Sequence, residues 1–163
     1  YPDLEFKVEN DGDVRADGTF ASPAADLAEM LPAVAGLEPG DVLAIGPDRT
    51  LVRSSQAYQA SVAGVYSTKP GFLGGAGMDE DLEGKVPLAI AGVVPVKVSA
   101  ENGAIRPGDL LVASSLPGHA MRAEPVEING VSFYLPGTII GKALEGWDAA
   151  QGTGVILVLV TLQ

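Results

Sequence analysis

Glycine and proline interrupt this sequence at short intervals along almost its whole length. The 163 residues include 21 glycines and 12 prolines, so turns are frequent and long helices have little room. Short runs rich in valine, isoleucine and leucine lie between the turns. This pattern predicts an all-β fold built from many short strands. We expect strands near residues 41–46, 50–53, 60–67, 86–98, 109–113, 119–122, 125–128, 131–134, 138–145 and 154–162.

The first 21 residues differ from the rest of the chain. Residues 4–9 alternate apolar and polar side chains, residues 14–16 are expected to form a second short strand, and Asp-Gly pairs supply the corners between such strands. So few apolar residues cannot form a core. We therefore expect residues 1–21 to be a short β extension that rests on other chains or on a preceding shaft, and residues 22–163 to form the main domain. Because Tyr1 is not a natural start, we also expect the chain to be a fragment of a longer protein.

Residues 22–31 are the best candidate for a helix. Ser22 can cap its start, and Pro23 suits the first helical position. Leu27, Met30 and Leu31 would then share one face, and Pro32 would limit the length. A single short turn or helix is the expected outcome.

The sequence contains an internal echo that predicts two related halves. Residues 39–44 (Pro-Gly-Asp-Val-Leu-Ala) recur as residues 107–112 (Pro-Gly-Asp-Leu-Leu-Val), and later in each half comes a β-rich segment with one glycine, Gly64 or Gly141. In each Pro-Gly-Asp turn, proline presets φ, glycine permits positive φ, and aspartate can accept hydrogen bonds from backbone amides. We therefore expect a β-barrel or roll made by duplicating a small β module, with an insertion around residues 129–130 in the second half.

Two further segments carry expectations about packing. Residues 155–162 are almost continuously apolar, so we expect both faces of the last strand to be covered. Residues 69–84 and 146–153 are the two expected loops, and a loop as long as the first is either functional or mobile.

Charge and composition exclude several classes of function. The formal net charge of −11 disfavours nucleic-acid binding, because an acidic surface repels phosphates. The absence of cysteine rules out disulfides, thiolate metal sites and thiol catalysis. No apolar run reaches membrane-spanning length, and no cofactor-binding loop is present, so we expect no membrane span and no cofactor. His119 is the only histidine, which makes a histidine-based active site improbable on composition alone.

Ser22, Asp26 and Glu29 form the one constellation that could carry catalysis. A serine hydroxyl near carboxylates can attack a backbone carbonyl, with a carboxylate moving the proton. Helix capping by Ser22 accounts for the same residues without chemistry and is the favoured interpretation.

Two other groups of residues could bind ligands. Four carboxylates in the first long loop, those of Asp79, Glu80, Asp81 and Glu83, could hold a hard cation, although a solvated acidic loop is the simpler interpretation and no metal is expected. Phe72 and Trp147 lie in the predicted loops, where they could form an aromatic platform for a sugar or could instead close the end of a barrel.

The order of several segments resembles the C-terminal domains of phage tail fibres and neck appendages, and the related domains that end large bacterial β-helical surface proteins. The matching segments are residues 25–29, 37–43, 62–72, 86–98, 105–114 and 137–145. The resemblance covers about residues 22–163, and the leading Asp-Gly units resemble the strand repeats of fibre shafts.

This resemblance implies a β-domain that ends a fibre, commonly as a homotrimer. Some relatives, the G2-type peptidase domains, release themselves by autoproteolysis and act as intramolecular chaperones. Their Ala-Asp-Tyr-Ala-Glu motif matches residues 25–29 with Leu27 in place of tyrosine, and no Asp-Ser cleavage dipeptide occurs here. Only Asp26 and Glu29 carry over from that motif.

Together, these observations predict a structural domain that caps and trimerises a fibrous surface protein, located on a virion, on a cell surface or outside the cell. An autoproteolytic chaperone domain and a carbohydrate-binding module that recognises a surface glycan are the alternatives. An enzyme acting on other molecules is not expected; if the chain has any catalytic activity, it would be a self-cleaving endopeptidase.

Overall fold

The chain folds as an all-β protein, as the sequence predicts. A computed structural model describes residues 6–76 and 82–162. Two short 3₁₀ turns, Pro47–Arg49 and Ala149–Gln151, are the helical segments in this part of the chain. The strands are β1 (Phe6–Val8), β2 (Val14–Ala16), β3 (Asp26–Pro32), β4 (Val42–Ile45), β5 (Leu51–Arg53), β6 (Val62–Tyr66), β7 (Phe72–Gly74), β8 (Lys85–Ser99), β9 (Leu110–Ala113), β10 (Ala120–Arg122), β11 (Val126–Ile128), β12 (Val131–Phe133), β13 (Ile139–Ala143) and β14 (Thr153–Thr161).

A closed five-stranded barrel forms the second half of the molecule. Its circuit runs β8–β14–β13–β9–β10 and returns to β8 through a parallel pair between Ala120 and Val98. The longest contact is the antiparallel ladder of nine residue pairs between β14 and the C-terminal part of β8. Alternate residues of these two strands point inward, where Val94, Val96 and Val158 are buried in the main core cluster.

The first half repeats the same circuit around the N-terminal part of β8. Here β8 pairs with β3 and β6, β6 pairs with β4, and β4 pairs with β5. An isolated parallel bridge between Ala33 and Leu51 links β5 back to the end of β3. Leu43, Leu51 and Leu88 are buried in this half, in a smaller apolar cluster of their own. The two halves therefore share one long strand.

The Pro-Gly-Asp turns of the two halves have the same hydrogen bonds. Asp41 Oδ2 accepts from the backbone N–H of Glu38 at 2.9 Å, and Asp109 Oδ2 accepts from that of Arg106 at 2.8 Å. Gly40 donates its N–H to the carbonyl of Tyr66, as Gly108 does to that of Ala143, and both glycines have positive φ. The repeat in the sequence thus corresponds to a repeat in the structure, which confirms the prediction of two related halves.

Each half has one glycine at the equivalent strand position, and both glycines are required for the same steric reason. A Cβ built on Gly64 would lie 2.3 Å from the carbonyl oxygen of Ala89, and one built on Gly141 would lie 2.1 Å from that of Leu159. Each glycine sits where the strand approaches the backbone of its neighbour, and the ladders of β4–β6 and β9–β13 both contain an irregularity near it.

The predicted helix over residues 22–31 is wrong, because the segment from Asp26 to Pro32 is strand β3. Seven of its residues pair with β8, and Leu27 also pairs with Phe72 of β7. Its burial alternates from Asp26 to Glu29, as expected of a strand and not of a helix. Tertiary pairing has overridden the local preference for a helix. Ser22 accepts a hydrogen bond from the N–H of Ala24 at 3.2 Å in a local turn, and caps no helix.

The prediction that both faces of the last strand are covered is also wrong for the single chain. Ile156, Val158 and Val160 are buried, whereas Val155 is 54% and Leu157 37% exposed. One face of β14 therefore fills the barrel and the other is bare.

Two small hairpins stand apart from the large sheet. β1 pairs with β2 near the N terminus, and β11 pairs with β12 in the inserted segment of the second half. The side chains of Phe6, Val8 and Val14 are all more than half exposed, so the first hairpin has no core of its own, as the sequence predicts. Isolated hairpins of this length are marginal in water and need a partner surface.

A buried ion cluster fastens the two halves together. The Asp41 side chain is 1% exposed; it accepts 2.8 Å hydrogen bonds from Arg53 Nε at Oδ2 and from Lys97 Nζ at Oδ1. Lys97 lies on the shared strand β8 and also binds Glu38 at 2.5 Å. Gly118, from the second half, covers this cluster so closely that a Cβ there would lie 2.7 Å from Asp41 Oδ1.

The ion cluster shifts the pKa values of its members in opposite directions. Burial acts to raise the pKa of Asp41, but hydrogen bonds from Lys97, the Glu38 N–H and Arg53 outweigh it and lower that pKa. Burial likewise acts to lower the pKa of Lys97, but hydrogen bonds to Asp41 and Glu38 outweigh it and raise that pKa. The hydrogen bond from Lys97 lowers the pKa of Glu38.

Replacing Asp41 by asparagine should change the pH dependence of stability. Because the folded state lowers the pKa of Asp41, its stabilisation is present above the unfolded value of about 4 and is lost as the pH falls below it. Asp41→Asn should cost about 1.5–3 kcal/mol near neutral pH, since it removes the charge from the hydrogen bonds to Lys97 and Arg53, which are both partly exposed, and should flatten the acid side of the profile. Urea unfolding between pH 2 and 7 measures both effects.

Asp109→Asn is the matched control for this substitution. Asp109 occupies the same turn and accepts the same backbone hydrogen bond, but the described residues include no cation bound to it. Its replacement should cost less than about 1 kcal/mol and leave the acid limb unchanged. Equal effects of the two variants would contradict the role assigned to the ion cluster.

Alanine at Gly64 or at Gly141 should destabilise the protein by about 1–3 kcal/mol, because each Cβ would collide with a backbone carbonyl that cannot move without opening a ladder. Gly18→Ala is the control, because no atom lies within 4 Å of the added Cβ. Thermal unfolding of the three variants measures the difference. A loss at only one of Gly64 and Gly141 would show that the two halves are not equivalent there.

Candidate functional site

A groove at the start of β3 brings together three of the residues that sequence analysis singled out. It has a volume of about 770 Å³ and is open to solvent along one side. The chain lines it twice, first as it enters β3 and again at the start of β7. The lining residues are Phe20, Ala21, Ser22, Ala24, Ala25, Asp26, Leu27, Gly71 and Phe72. Ser22, Asp26 and Phe72 thus share one site, although they were predicted for different roles.

Asp26 is the unusual residue of the groove. Its side chain is 7% exposed, and its Oδ2 is buried without a hydrogen-bond partner in the described part of the chain. Its backbone is fixed, because it pairs with Gly92 of β8 and its carbonyl accepts a hydrogen bond from Gly71 at 2.8 Å. A Cβ on Gly92 would lie 2.6 Å from the Asp26 Cα, so this close approach requires glycine. The fold therefore holds a carboxylate in place and leaves it unsatisfied.

The three residues predicted to support self-cleavage are only partly brought together. Ser22 and Asp26 both line the groove. Glu29 lies three residues further along β3 than Asp26, on the opposite face of the strand, and its side chain is exposed near Gly74. The arrangement offers a hydroxyl and one carboxylate, and the catalytic role of these residues stays a prediction.

Phe72 and Trp147 have different surroundings. Phe72 lies on β7 and is 67% exposed at the rim of the groove, where Phe20 is also exposed. Trp147 packs against the core of the second half, and its ring lies directly over Gly154, where a Cβ would come within 2.0 Å of it. Its backbone bridges Ile105, so the indole covers one end of the barrel.

The acidic loop considered as a metal site lies mostly outside the described residues. Asp79, Glu80 and Asp81 are not described, and Glu83 lies in an exposed turn that precedes β8. In residues 6–76 and 82–162, no three acidic or histidine side chains are grouped in a way that could hold a metal ion.

A bare apolar face is the second candidate site, and sequence analysis missed it. Val155, Leu157 and Leu159 project from the outer side of β14 and are all at least one-third exposed. Their partners across the ladder are Lys97, Pro95 and Val93 of β8, and Lys142 of β13 stands opposite Leu159. Within β14 itself, residues 153–161 include no charged side chain, although the chain carries a net charge of −11. The near-continuous apolar run of this strand was the signal.

The comparisons bear on the fold. No family model and no curated protein matches this chain. Its fold is similar to part of a phage protein. The pre-mature gene product 12 of bacteriophage phi29 superposes with a TM-score of 0.64 and 14% sequence identity, over 96% of this chain and 24% of that protein. The chain thus spans about a quarter of the length of the protein it matches.

At 14% identity, this likeness concerns the fold alone. It confirms the all-β barrel architecture that the sequence predicted. This likeness does not show that the chain belongs to the G2-type peptidase family. No helix among the described residues is long and apolar enough to span a membrane.

Trp147→Ala should lower the free energy of unfolding by about 2 kcal/mol or more, because it removes apolar contacts from the core and uncovers a barrel end. Phe72→Ala should change it by less than about 0.5 kcal/mol, because the ring is mostly exposed. Urea denaturation of both variants measures the contrast. A Trp147→Ala protein as stable as the wild type would return this residue to the set of ligand-binding candidates.

Proposed function

We propose that this chain is a terminal structural domain of a fibrous virion protein, which caps the fibre and assembles with two further copies of itself. The fold match to a phage tail appendage protein is consistent with a structural domain of a virion. The bare outer face of β14 and β8 is the observation that carries the proposal. Self-assembly would bury this face.

The chemistry of the bare face suits burial better than solvent. Val155, Leu157 and Leu159 form an uncharged row on an otherwise strongly acidic protein. Contiguous exposed apolar surface of this kind marks interaction sites. Full burial of an exposed side chain of this size is worth about 1.5–3 kcal/mol. These three side chains are one-third to about one-half exposed, so each would gain a corresponding fraction of that value in every copy. Another copy of the chain is a partner that is always present in the amount that the assembly needs.

The N-terminal hairpin supports the same assignment. Its apolar side chains Phe6, Val8 and Val14 are exposed, so β1 and β2 gain little from their own chain. Bundling of three such extensions would cover these side chains and continue the strand repeats of a shaft. A terminal domain would also protect the open strand edges with which a β-shaft ends. We therefore infer a location on the virion surface, outside the host cell.

Self-cleavage is the alternative function, and it can be tested through the residues of the groove. Ser22 and Asp26 both line the groove. If the domain were a self-releasing chaperone, purified chains would shorten with time near Ser22, and Ser22→Ala would prevent this. Intact mass measured on the same samples as the solution mass decides between a permanent cap and a self-releasing one.

Light scattering should give a solution mass of three chains of 16.6 kDa for the wild type. Leu157→Lys combined with Leu159→Lys should give single chains that remain folded, because lysine at these positions is tolerated in solvent but would place charges inside the interface. Higher salt should strengthen the wild-type assembly, since it screens the repulsion between acidic copies.

Ile128→Lys combined with Val131→Lys is the matched control. These two side chains are also exposed and apolar, but they lie on the β11–β12 hairpin. This variant should keep the wild-type mass. Single chains for the wild type, or the same mass for both double variants, would refute the proposed interface.

A further inference from the structure

The turn at the tip of the β11–β12 hairpin carries an asparagine followed by a glycine, a pair that can react with itself without an enzyme. The chain has three asparagines, and two of them, Asn102 and Asn129, precede a glycine. We propose that Asn129 is a site of spontaneous deamidation, which converts it to aspartate and isoaspartate, and that the fold protects Asn102 from the same reaction. The inference is independent of the self-assembly proposed above, because it rests on the hairpin and not on the bare face.

The reaction needs only the chain and water. The backbone nitrogen of Gly130 attacks Cγ of the Asn129 side chain and passes its proton to the departing amide group. The bond from Cγ to the amide nitrogen breaks, and ammonia leaves. Water then opens the resulting five-membered imide at either of its two carbonyls, which yields aspartate or isoaspartate. Glycine favours the first step, because it has no Cβ to hinder the approach of Cγ to its nitrogen.

Asn129 and Gly130 lie where this reaction meets little resistance. Both residues are exposed, and both have positive φ, as a two-residue type I′ turn between Ile128 and Val131 requires. Within the described residues, the Asn129 amide makes no hydrogen bond, and β11 and β12 pair only with each other, over three residue pairs. So short a hairpin opens at little cost in free energy, and opening lets the amide reach the Gly130 nitrogen.

Asn102 also precedes a glycine but has a different environment. It is half-buried, and its Nδ2 donates to Tyr58 Oη at 3.1 Å and to the carbonyl of Arg122 at 3.0 Å. The nitrogen that would attack is engaged as well, because the Gly103 N–H donates to the carbonyl of Ala100 at 2.9 Å. Reaction at Asn102 therefore requires these three hydrogen bonds to break first.

Deamidation at Asn129 changes the hairpin and leaves the rest of the fold intact. Aspartate adds a negative charge to the exposed turn. Isoaspartate adds one backbone atom, so the two-residue turn can no longer keep the pairing of Ile128 with Val131. Because the hairpin is a separate two-stranded sheet, the barrel and the bare face of β14 are unaffected.

Ageing of the full-length chain in warm, mildly alkaline buffer, followed by peptide mapping with mass spectrometry, tests the proposal. Each deamidation raises the mass of the peptide that contains it by about 1 Da. The Asn129 peptide should convert at least about tenfold faster than the Asn102 peptide, because the hairpin opens more readily than the hydrogen-bonded turn. A synthetic peptide of residues 126–133 gives the rate of the unfolded sequence for comparison.

Two variants complete the test. Asn129→Gly keeps a turn that accepts positive φ but has no amide, so its hairpin peptide should gain no mass. Tyr58→Phe removes one acceptor of the Asn102 amide and should speed reaction at Asn102 about two- to tenfold, with no change at Asn129.

Equal rates at the two asparagines, a faster reaction at Asn102, or no gain of mass at Asn129 while the synthetic peptide converts would overturn the proposal. An unchanged rate at Asn102 in Tyr58→Phe would contradict the protection assigned to its hydrogen bonds.

Discussion

The whole architecture depends on one strand that serves both halves of the molecule. β8 runs for 15 residues; its N-terminal part closes the first half against β3 and β6, and its C-terminal part closes the second half against β14. Because one strand belongs to both circuits, neither half can change register without disturbing the other. The Asp41–Lys97 ion pair holds this arrangement, since it ties the first Pro-Gly-Asp turn to the shared strand while the Gly118 turn of the second half covers it. The equivalent Asp109 makes the same turn, but in the described part of the chain it binds no cation.

Sharing a strand also explains why one sheet face is left bare. The inner sides of β14 and of the C-terminal part of β8 fill the second barrel, and the first half packs around the other part of β8. Val155, Leu157 and Leu159 therefore have no layer of their own chain above them. The proposed association with further copies of the chain would give this apolar row a covering layer.

The sequence predicted the strands and the duplication well, because both leave local signals. Alternation, turn residues and the repeated Pro-Gly-Asp identify twelve of the fourteen described strands within a residue or two of the observed bounds, whereas β7 lies in the predicted loop over residues 69–84. The signals failed where distant residues decide the outcome. Residues 26–32 have a helical pattern of apolar positions, but pairing with β8 makes them a strand. The position of Lys97 is likewise decided at a distance, since it pairs with Asp41, 56 residues away in the sequence. The unsatisfied Asp26 has no sequence signal, because only the three-dimensional packing around it removes its partners.

The accessibility of the bare face in solution tests the proposed self-assembly most directly. The chain has no cysteine, so Leu157→Cys and Ile128→Cys each introduce a single thiol at an exposed apolar position, one on the proposed interface and one on the β11–β12 hairpin. Labelling rates with a thiol reagent report how far each position is buried in the native assembly. The account predicts strong protection of Leu157→Cys that disappears when the protein is diluted to single chains, and rapid labelling of Ile128→Cys throughout. Equally rapid labelling of both thiols at high protein concentration would contradict it.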